Sequence, residues 1–336
     1  MYQAAQPSQF KPSLSAISAV ESRTDTCELP GLNQLIAQEL QPRVVAIDQE
    51  GFYPRQFLQY LGALGGYAGV VAPAFGGNGL GLTHSVQVMS QVSQTCLSTG
   101  FAIWCQTACL RYLQLSDNDF VKTRFLPDLV SGRLLGGTGL SNTLKFKCSL
   151  ERALLKARRV EGGYRIEGNL PWVSNLGPGH VFVTGCPVEG DGRLVFFLVD
   201  TQNPGFRLVE GAHFIAMEGT GTLACQFRDY WVGEQEVLAH PETSEHYLAR
   251  IKPGMILGQM GMGLGLVRSC IDLIVAANKT SSITNQYLDD QAEALSEELV
   301  VAEQETYRLT RLLDENPAAD MMSDVLKVRL TGSELS

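Results

Sequence analysis

The chain has 336 residues, 45% hydrophobic and 18% charged, with 34 glycines and a formal net charge of −9. That length suffices for two or three packed units, and the acidic total excludes the basic field that would attract nucleic acid or anionic lipid. Eight cysteines, at 27, 96, 105, 109, 148, 186, 225 and 270, stand among apolar neighbours without a Cys-x-x-Cys pair or a histidine cluster; reduced, buried thiols in a cytoplasmic protein are expected, and zinc or a disulfide framework is not.

Residues 1–26 are polar, with scattered Pro and Ser and no long apolar segment, and are read as a flexible N-terminal segment without a signal peptide. Over 27–133 the pattern is helical. Leu32, Leu35, Ile36, Leu40 and Val44 recur at helical spacing, and Phe57, Leu58, Leu61 and Leu64 resume it after Tyr53-Pro54. Gly65-Gly66 and Pro73 to Gly79 mark a loop. Phe101 to Leu115 is apolar on both faces, which predicts a buried helix.

Over 134–240 short β-prone runs alternate with turn signals: 153–160, 164–167, 181–184, 194–199 and 223–227, separated by Glu161-Gly162-Gly163, Glu189-Gly190-Asp191-Gly192 and Asn203-Pro204-Gly205. This predicts a small antiparallel barrel or sandwich. Helical periodicity returns over 241–336, in Tyr247 to Ala277, Gln291 to Leu313 and Met321 to Leu330. The glycines from Gly254 to Gly265 fall inside the first of these; each costs up to about 1 kcal/mol relative to Ala, so they are expected to admit another backbone or a ligand. No uninterrupted apolar stretch of about 18 residues occurs, so no membrane span is expected.

Several segments together resemble the acyl-CoA dehydrogenase family. The run Leu64 to Leu80, with Pro73 ahead of Gly76-Gly77-Asn78-Gly79, is similar to the family's N-terminal loop, and Phe125 to Gly132 to its approach to the β domain. Gly163 to Asn169 followed by Trp172-Val173-Ser174-Asn175 resembles its flavin-facing strand pair, Met217 to Thr222 a later turn, and Tyr230-Trp231-Val232 the strand that leaves the domain. The motifs fall in the family's order between about Leu32 and Leu266. The resemblance implies an α+β fold: an N-terminal helical domain, a middle β domain and a C-terminal helical bundle that is incomplete at Ser336.

It also implies a function: α,β-dehydrogenation of an acyl thioester, carried by CoA or a carrier protein, with FAD as hydride acceptor, in a homo- or hetero-oligomer. An isoalloxazine needs an apolar wall and hydrogen-bond donors at its heteroatoms. Trp172 would be the wall, and Ser174, on the same strand face, would offer a hydroxyl to N5 or O4 where the family carries Thr. A strand tryptophan taken by itself is more often a core aromatic; the flanking motif favours flavin contact. Gly136 to Asn142 falls where the family has Thr-Glu-Pro and then Gly-Ser-Asp. Thr138 matches and with Ser141 would serve the pyrimidine side or the thioester, and Ser141 or Asn142 would present amides to flavin carbonyls or phosphates, against the plainer reading of a glycine-rich connector. Lys279, in Asn278-Lys279-Thr280-Ser281-Ser282, takes the place of the family's Arg-Lys-Thr-Phe-Gly phosphate contact, or is simply a cation at a helix C-terminus.

The pattern departs from the family at the base. The α-proton is normally taken by a carboxylate in a dry pocket. The family's late base position falls beyond Ser336, and Ile251 occupies the alternative one, so the catalytic base is unassigned. Two other readings stay open: a flavin-dependent monooxygenase of the same fold, which needs no such base, and a non-catalytic or partner-dependent subunit. Glu218, His84 and His213 are weaker candidates. Arg250 beside Lys252 is either a phosphate contact or a solvated helix start.

Overall fold

The computed structural model describes residues 29–209, 213–288 and 290–335. Cys27 and the segment 1–26 lie outside them. Among the described residues six α-helices come first: α1 Leu32–Leu35, α2 Val44–Gln49, α3 Arg55–Ala63, α4 Gly81–Ser93, α5 Leu97–Gln114 and α6 Asp119–Val130. Helix α5 is buried from Ala102 to Leu113, as its two apolar faces require. Helix α6 starts on Asn118, whose side chain accepts from the amides of Phe120 and Val121, and stops at Gly132 in left-handed backbone.

Next come β1 Gly136–Thr138, α7 Leu140–Lys147, β2 Leu155–Val160, β3 Gly163–Val173, β4 Val181–Pro187, β5 Leu194–Asp200, β6 Phe206–Val209, β7 Leu223–Gly233 and β8 Val237–Ala239. They form two four-stranded sheets, ordered β1-β4-β5-β8 and β2-β3-β7-β6. The expected antiparallel arrangement holds except at β1, which runs parallel to β4. The stretch around Gly136 to Asn142 is a strand followed by a helix, not a plain connector. It shows no period because three of its residues pair in one strand and the rest wind one short helix.

The first sheet is covered on both sides. Val181, Val183, Phe196 and Leu198 pack into the helical core, while Phe182, Val195, Phe197 and Val199 pack against the second sheet. That is why β4 and β5 read as unbroken apolar runs. The second sheet has one wet face, so β2 and β3 alternate; Leu155 and Ala157 point inward, Lys156 and Arg158 outward.

The chain then returns to helices: α8 Ser244–Gly258, α9 Met260–Asn285, α10 Ala292–Glu315 and α11 Met322–Leu335. The glycines of this region do admit backbone. A Cβ at Gly265 would lie 2.2 Å from Ser90 O, and one at Gly261 2.9 Å from Val86 O, so α9 lies directly on α4. The helical run Ser244–Ser281 is long and apolar enough to cross a membrane by length and composition; here it packs against α4, α5, α10 and α11. The described cysteines are unpaired. Five are buried, but Cys148 and Cys270 are exposed, contrary to expectation, because one follows the short α7 and the other faces outward on α9.

Candidate functional site

The end of β1 and the residue following β3 meet at the corner between the two sheets, where Thr138 and Ser174 form an isolated antiparallel bridge. A Cβ at Gly137 would fall 2.5 Å from Ser174 O, so this approach requires a glycine. Trp172 is 60% exposed while Val173 is 1% exposed and Ser174 half-buried. The indole is therefore on the open side of β3, with Ser174 half-buried one residue past the strand's end, and the core-aromatic reading of Trp172 fails.

The hydroxyls at this corner are linked. Ser174 Oγ lies 2.7 Å from Thr222 Oγ1, which lies 2.8 Å from Thr220 Oγ1. Thr138 Oγ1 is 3.2 Å from Tyr112 Oη of α5; burial holds that phenol far above its ordinary pKa, so it stays neutral. The Gly139 amide donates to Val183 O, and Thr184 Oγ1 donates to Gly139 O, fixing the start of α7. No side chain caps α7, which leaves its first-turn amides, with the exposed Ser141, free for an acceptor. Asn142 serves structure instead: its Oδ1 accepts from Leu154 N at 2.9 Å and its Nδ2 donates to Arg152 O at 3.0 Å.

A buried polar network holds the corner against the N-terminal helices. Asn175, in left-handed backbone at φ 62°, is fully buried. Its Oδ1 accepts from Tyr53 Oη at 2.6 Å and its Nδ2 donates to Gly136 O at 2.7 Å. Gln106 of α5 accepts from Gly136 N at 2.6 Å and donates to Leu129 O and Leu134 O. The Asn175 amide donates to Thr220 O, tying in the Met217 to Thr222 turn. His180 Nδ1 lies 3.0 Å from Asn175 O and Nε2 2.8 Å from Arg55 Nη2. Both bonds are satisfied by a neutral ring protonated at Nδ1, and burial, assisted by Arg55, pushes its pKa down to about 4.

The other sequence candidates stand apart from this cluster. Lys279 is exposed on α9 and has no hydrogen-bond or ion-pair partner among the described residues. Ile251 is fully buried in α8. Glu218 accepts from Phe214 N at 2.6 Å and pairs with His213 at 2.8 Å, and these bonds hold its carboxyl below the usual range. Arg250 pairs with Asp117 at 3.0 Å. His84 is buried, and burial lowers its pKa. Among the described residues no group of His, Cys, Asp and Glu could hold a metal.

Sequence reading missed three contributors: Tyr53, taken only as a helix start, Thr222, quoted only within a turn motif, and the pair Arg111–Asp314. Asp314 of α10 accepts from Leu82 N at 2.8 and 3.0 Å, capping α4, and lies 3.8 Å from buried Arg111. Its signal was no more than one acidic residue 203 positions after an arginine, which local pattern cannot pair.

Residues 31–133 match the acyl-CoA dehydrogenase N-terminal domain. The isovaleryl-CoA dehydrogenase of Pongo abelii is 27% identical over 257 residues, 72% of this chain and 60% of that protein. The chain thus spans about three fifths of the length of this relative. Among solved structures, glutaryl-coenzyme A dehydrogenase in complex with glutaryl-CoA superposes with a TM-score of 0.81 at 17% identity, covering 91% of this chain and 80% of that one. PigA with FAD and proline superposes at 0.76 and 16%, covering 91% and 82%. The chain thus carries a segment that matches the acyl-CoA dehydrogenase N-terminal domain and shares the helix–sandwich–helix fold of solved acyl-CoA dehydrogenases.

Proposed function

We propose that the protein is a flavin-dependent oxidoreductase that dehydrogenates an acyl thioester, borne by CoA or a carrier protein, at its α,β bond. One observation carries the reading: an exposed indole, Trp172, stands two residues before Ser174, which bridges to Thr138. These residues fit an isoalloxazine. Trp172 would supply the apolar wall, Ser174 and Thr138 the hydroxyls, and the uncapped start of α7 with Ser141 the amides for the pyrimidine carbonyls. Bound FAD would supply the hydride acceptor. A relative of the chain is named for isovaleryl-CoA, and one structural neighbour holds FAD; both support the reading.

No carboxylate joins the hydrogen-bonded cluster around Thr138 and Ser174 among the described residues, so the α-proton's acceptor lies outside it. Lys279, exposed and unpaired, is available for a cofactor phosphate. Exposed apolar side chains on the C-terminal helices, including Leu273, Val275, Ile283, Val300 and Val301, support an oligomer. The unpaired cysteines support a reducing, cytoplasmic compartment.

The test is the absorbance spectrum of the purified protein with added FAD, followed by anaerobic titration with isovaleryl-CoA and a series of other acyl-CoA thioesters. A yellow protein bleached by one of them is expected. A protein that stays colourless after reconstitution overturns the proposal.

A further inference from the structure

Helices α5 and α8 meet along a seam whose two sides differ. On α5, Trp104, Thr107 and Arg111 stand at i, i+3 and i+7 and so share one face. On α8 the facing positions are glycines. A Cβ at Gly258 would lie 3.6 Å from Trp104 Cδ1, and one at Gly254 would lie 2.3 Å from Arg111 Nε and 2.9 Å from its Nη2. Trp104 is satisfied, since its Nε1 donates to Met255 O at 3.1 Å. Thr107 and Arg111 are not. They are 3% and 5% exposed, and Thr107 Oγ1, Arg111 Nε and Arg111 Nη2 have no hydrogen-bond partner among the described residues. Asp314 stands 3.8 Å from a different nitrogen, Arg111 Nη1, and both its oxygens already accept from Leu82 N.

Folded interiors pair their donors, so an unpaired, buried edge of a guanidinium marks a place for an acceptor. Nε and Nη2 are the two parallel donors with which arginine holds a carboxylate by both oxygens. The next residue on α5, Tyr112, meets Thr138 at the candidate flavin corner, so the seam and the corner share one helix. We propose that Arg111 and Thr107 form a subsite for a carboxylate at the far end of the acyl group, which makes the substrate class the monothioesters of dicarboxylic acids. Gly254 belongs to the subsite, because a side chain there would collide with the fork. The proposal rests on the acyl-thioester reading for what carries the carboxylate; the carboxylate itself is argued from the protein alone.

Calorimetric titration of the full chain with matched thioesters tests it: adipyl-CoA against hexanoyl-CoA, and suberyl-CoA against octanoyl-CoA. Within at least one pair the wild type should bind the carboxylate-ended member about tenfold or more tightly, as a charge-assisted, two-pronged contact predicts. Arg111→Gln should bring that ratio to about one. Arg111→Lys keeps the charge without the fork, and Gly254→Ala keeps the fork but obstructs it; each should reduce the ratio. No preference for the carboxylate in either wild-type pair overturns the proposal. So does a preference that survives Arg111→Gln in protein shown to be folded by circular dichroism. Should Arg111→Gln not fold, a ratio unchanged in Gly254→Ala overturns it instead. Free adipate is titrated alongside. Arg111-dependent binding of adipate with no CoA thioester bound keeps the carboxylate subsite and overturns the thioester reading, whereas a protein that shows the preference but takes up no FAD loses the flavin reading alone.

Discussion

Asn175, just past β3, takes a 2.6 Å hydrogen bond from Tyr53, just ahead of α3. The same side chain donates to Gly136 O, two residues ahead of Thr138, and its backbone adjoins Ser174. One buried amide therefore sets the relation between the N-terminal helices and both strands of the candidate flavin corner.

Removing that amide should loosen the corner. Asn175→Ala loses two good hydrogen bonds and leaves the buried Tyr53 hydroxyl and Gly136 carbonyl unpaired, and alanine is poorly suited to φ 62°. A loss of about 3 kcal/mol of unfolding free energy is expected, measured by urea titration. A loss below about 1 kcal/mol would mean the network does not couple the domains.

Trp172 is the converse case. At 60% exposure its side chain adds little to the core, so Trp172→Ala should change the melting temperature by only a degree or two. Flavin affinity should fall about tenfold or more, as loss of one aromatic stacking face of about 1.5 kcal/mol predicts. Equilibrium dialysis with FAD reads the second effect and calorimetry the first.

Acid should weaken the protein through His180. Its pKa is pushed down to about 4 by burial, whereas in the unfolded chain it titrates near about 6.5. The unfolded state therefore takes up the proton first. The contribution is intact above about pH 6.5 and is lost as pH falls from there towards 4, by about 3 kcal/mol at most. Unfolding free energies at pH 7.5, 6 and 5 should fall less steeply in His180→Asn than in wild type.

The pair of buried Arg111 and partly exposed Asp314 should be costly to break and cheaper to replace. Arg111 is 5% exposed, and its Nε and Nη2 have no hydrogen-bond partner among the described residues. Asp314→Ala strands that charge and uncaps α4, a loss of about 2 kcal/mol once solvent screening at the partly exposed carboxylate is counted. Arg111→Met combined with Asp314→Asn should lose clearly less than the sum of the two single changes, read as a double-mutant cycle.

Gly265→Ala distinguishes helix propensity from packing. Alanine favours an isolated helix by about 1 kcal/mol, but its Cβ would lie 2.2 Å from Ser90 O. The variant should be destabilised by about 2 kcal/mol or more, measured by thermal unfolding; a stabilised variant would contradict the close seating of α9 on α4.

Much of this protein was legible from its sequence by itself. Burial on two faces made α5, β4 and β5 uniformly apolar, one wet face made β2 and β3 alternate, and the glycines of α8 and α9 marked a helix that admits another backbone. The exposure of Trp172 agrees with the outward position the sequence assigns it. What the tertiary structure alone decided is how distant segments meet. Periodicity reports only whether a residue faces inward or outward, whereas hydrogen bonds such as Tyr53 to Asn175, Thr222 to Ser174 and Leu82 to Asp314 depend on the path of the chain between partners up to 232 residues apart. Strand β1 and helix α7 were hidden for the same reason, since three residues paired in parallel with β4 draw their stability from the neighbouring strand rather than from any local pattern.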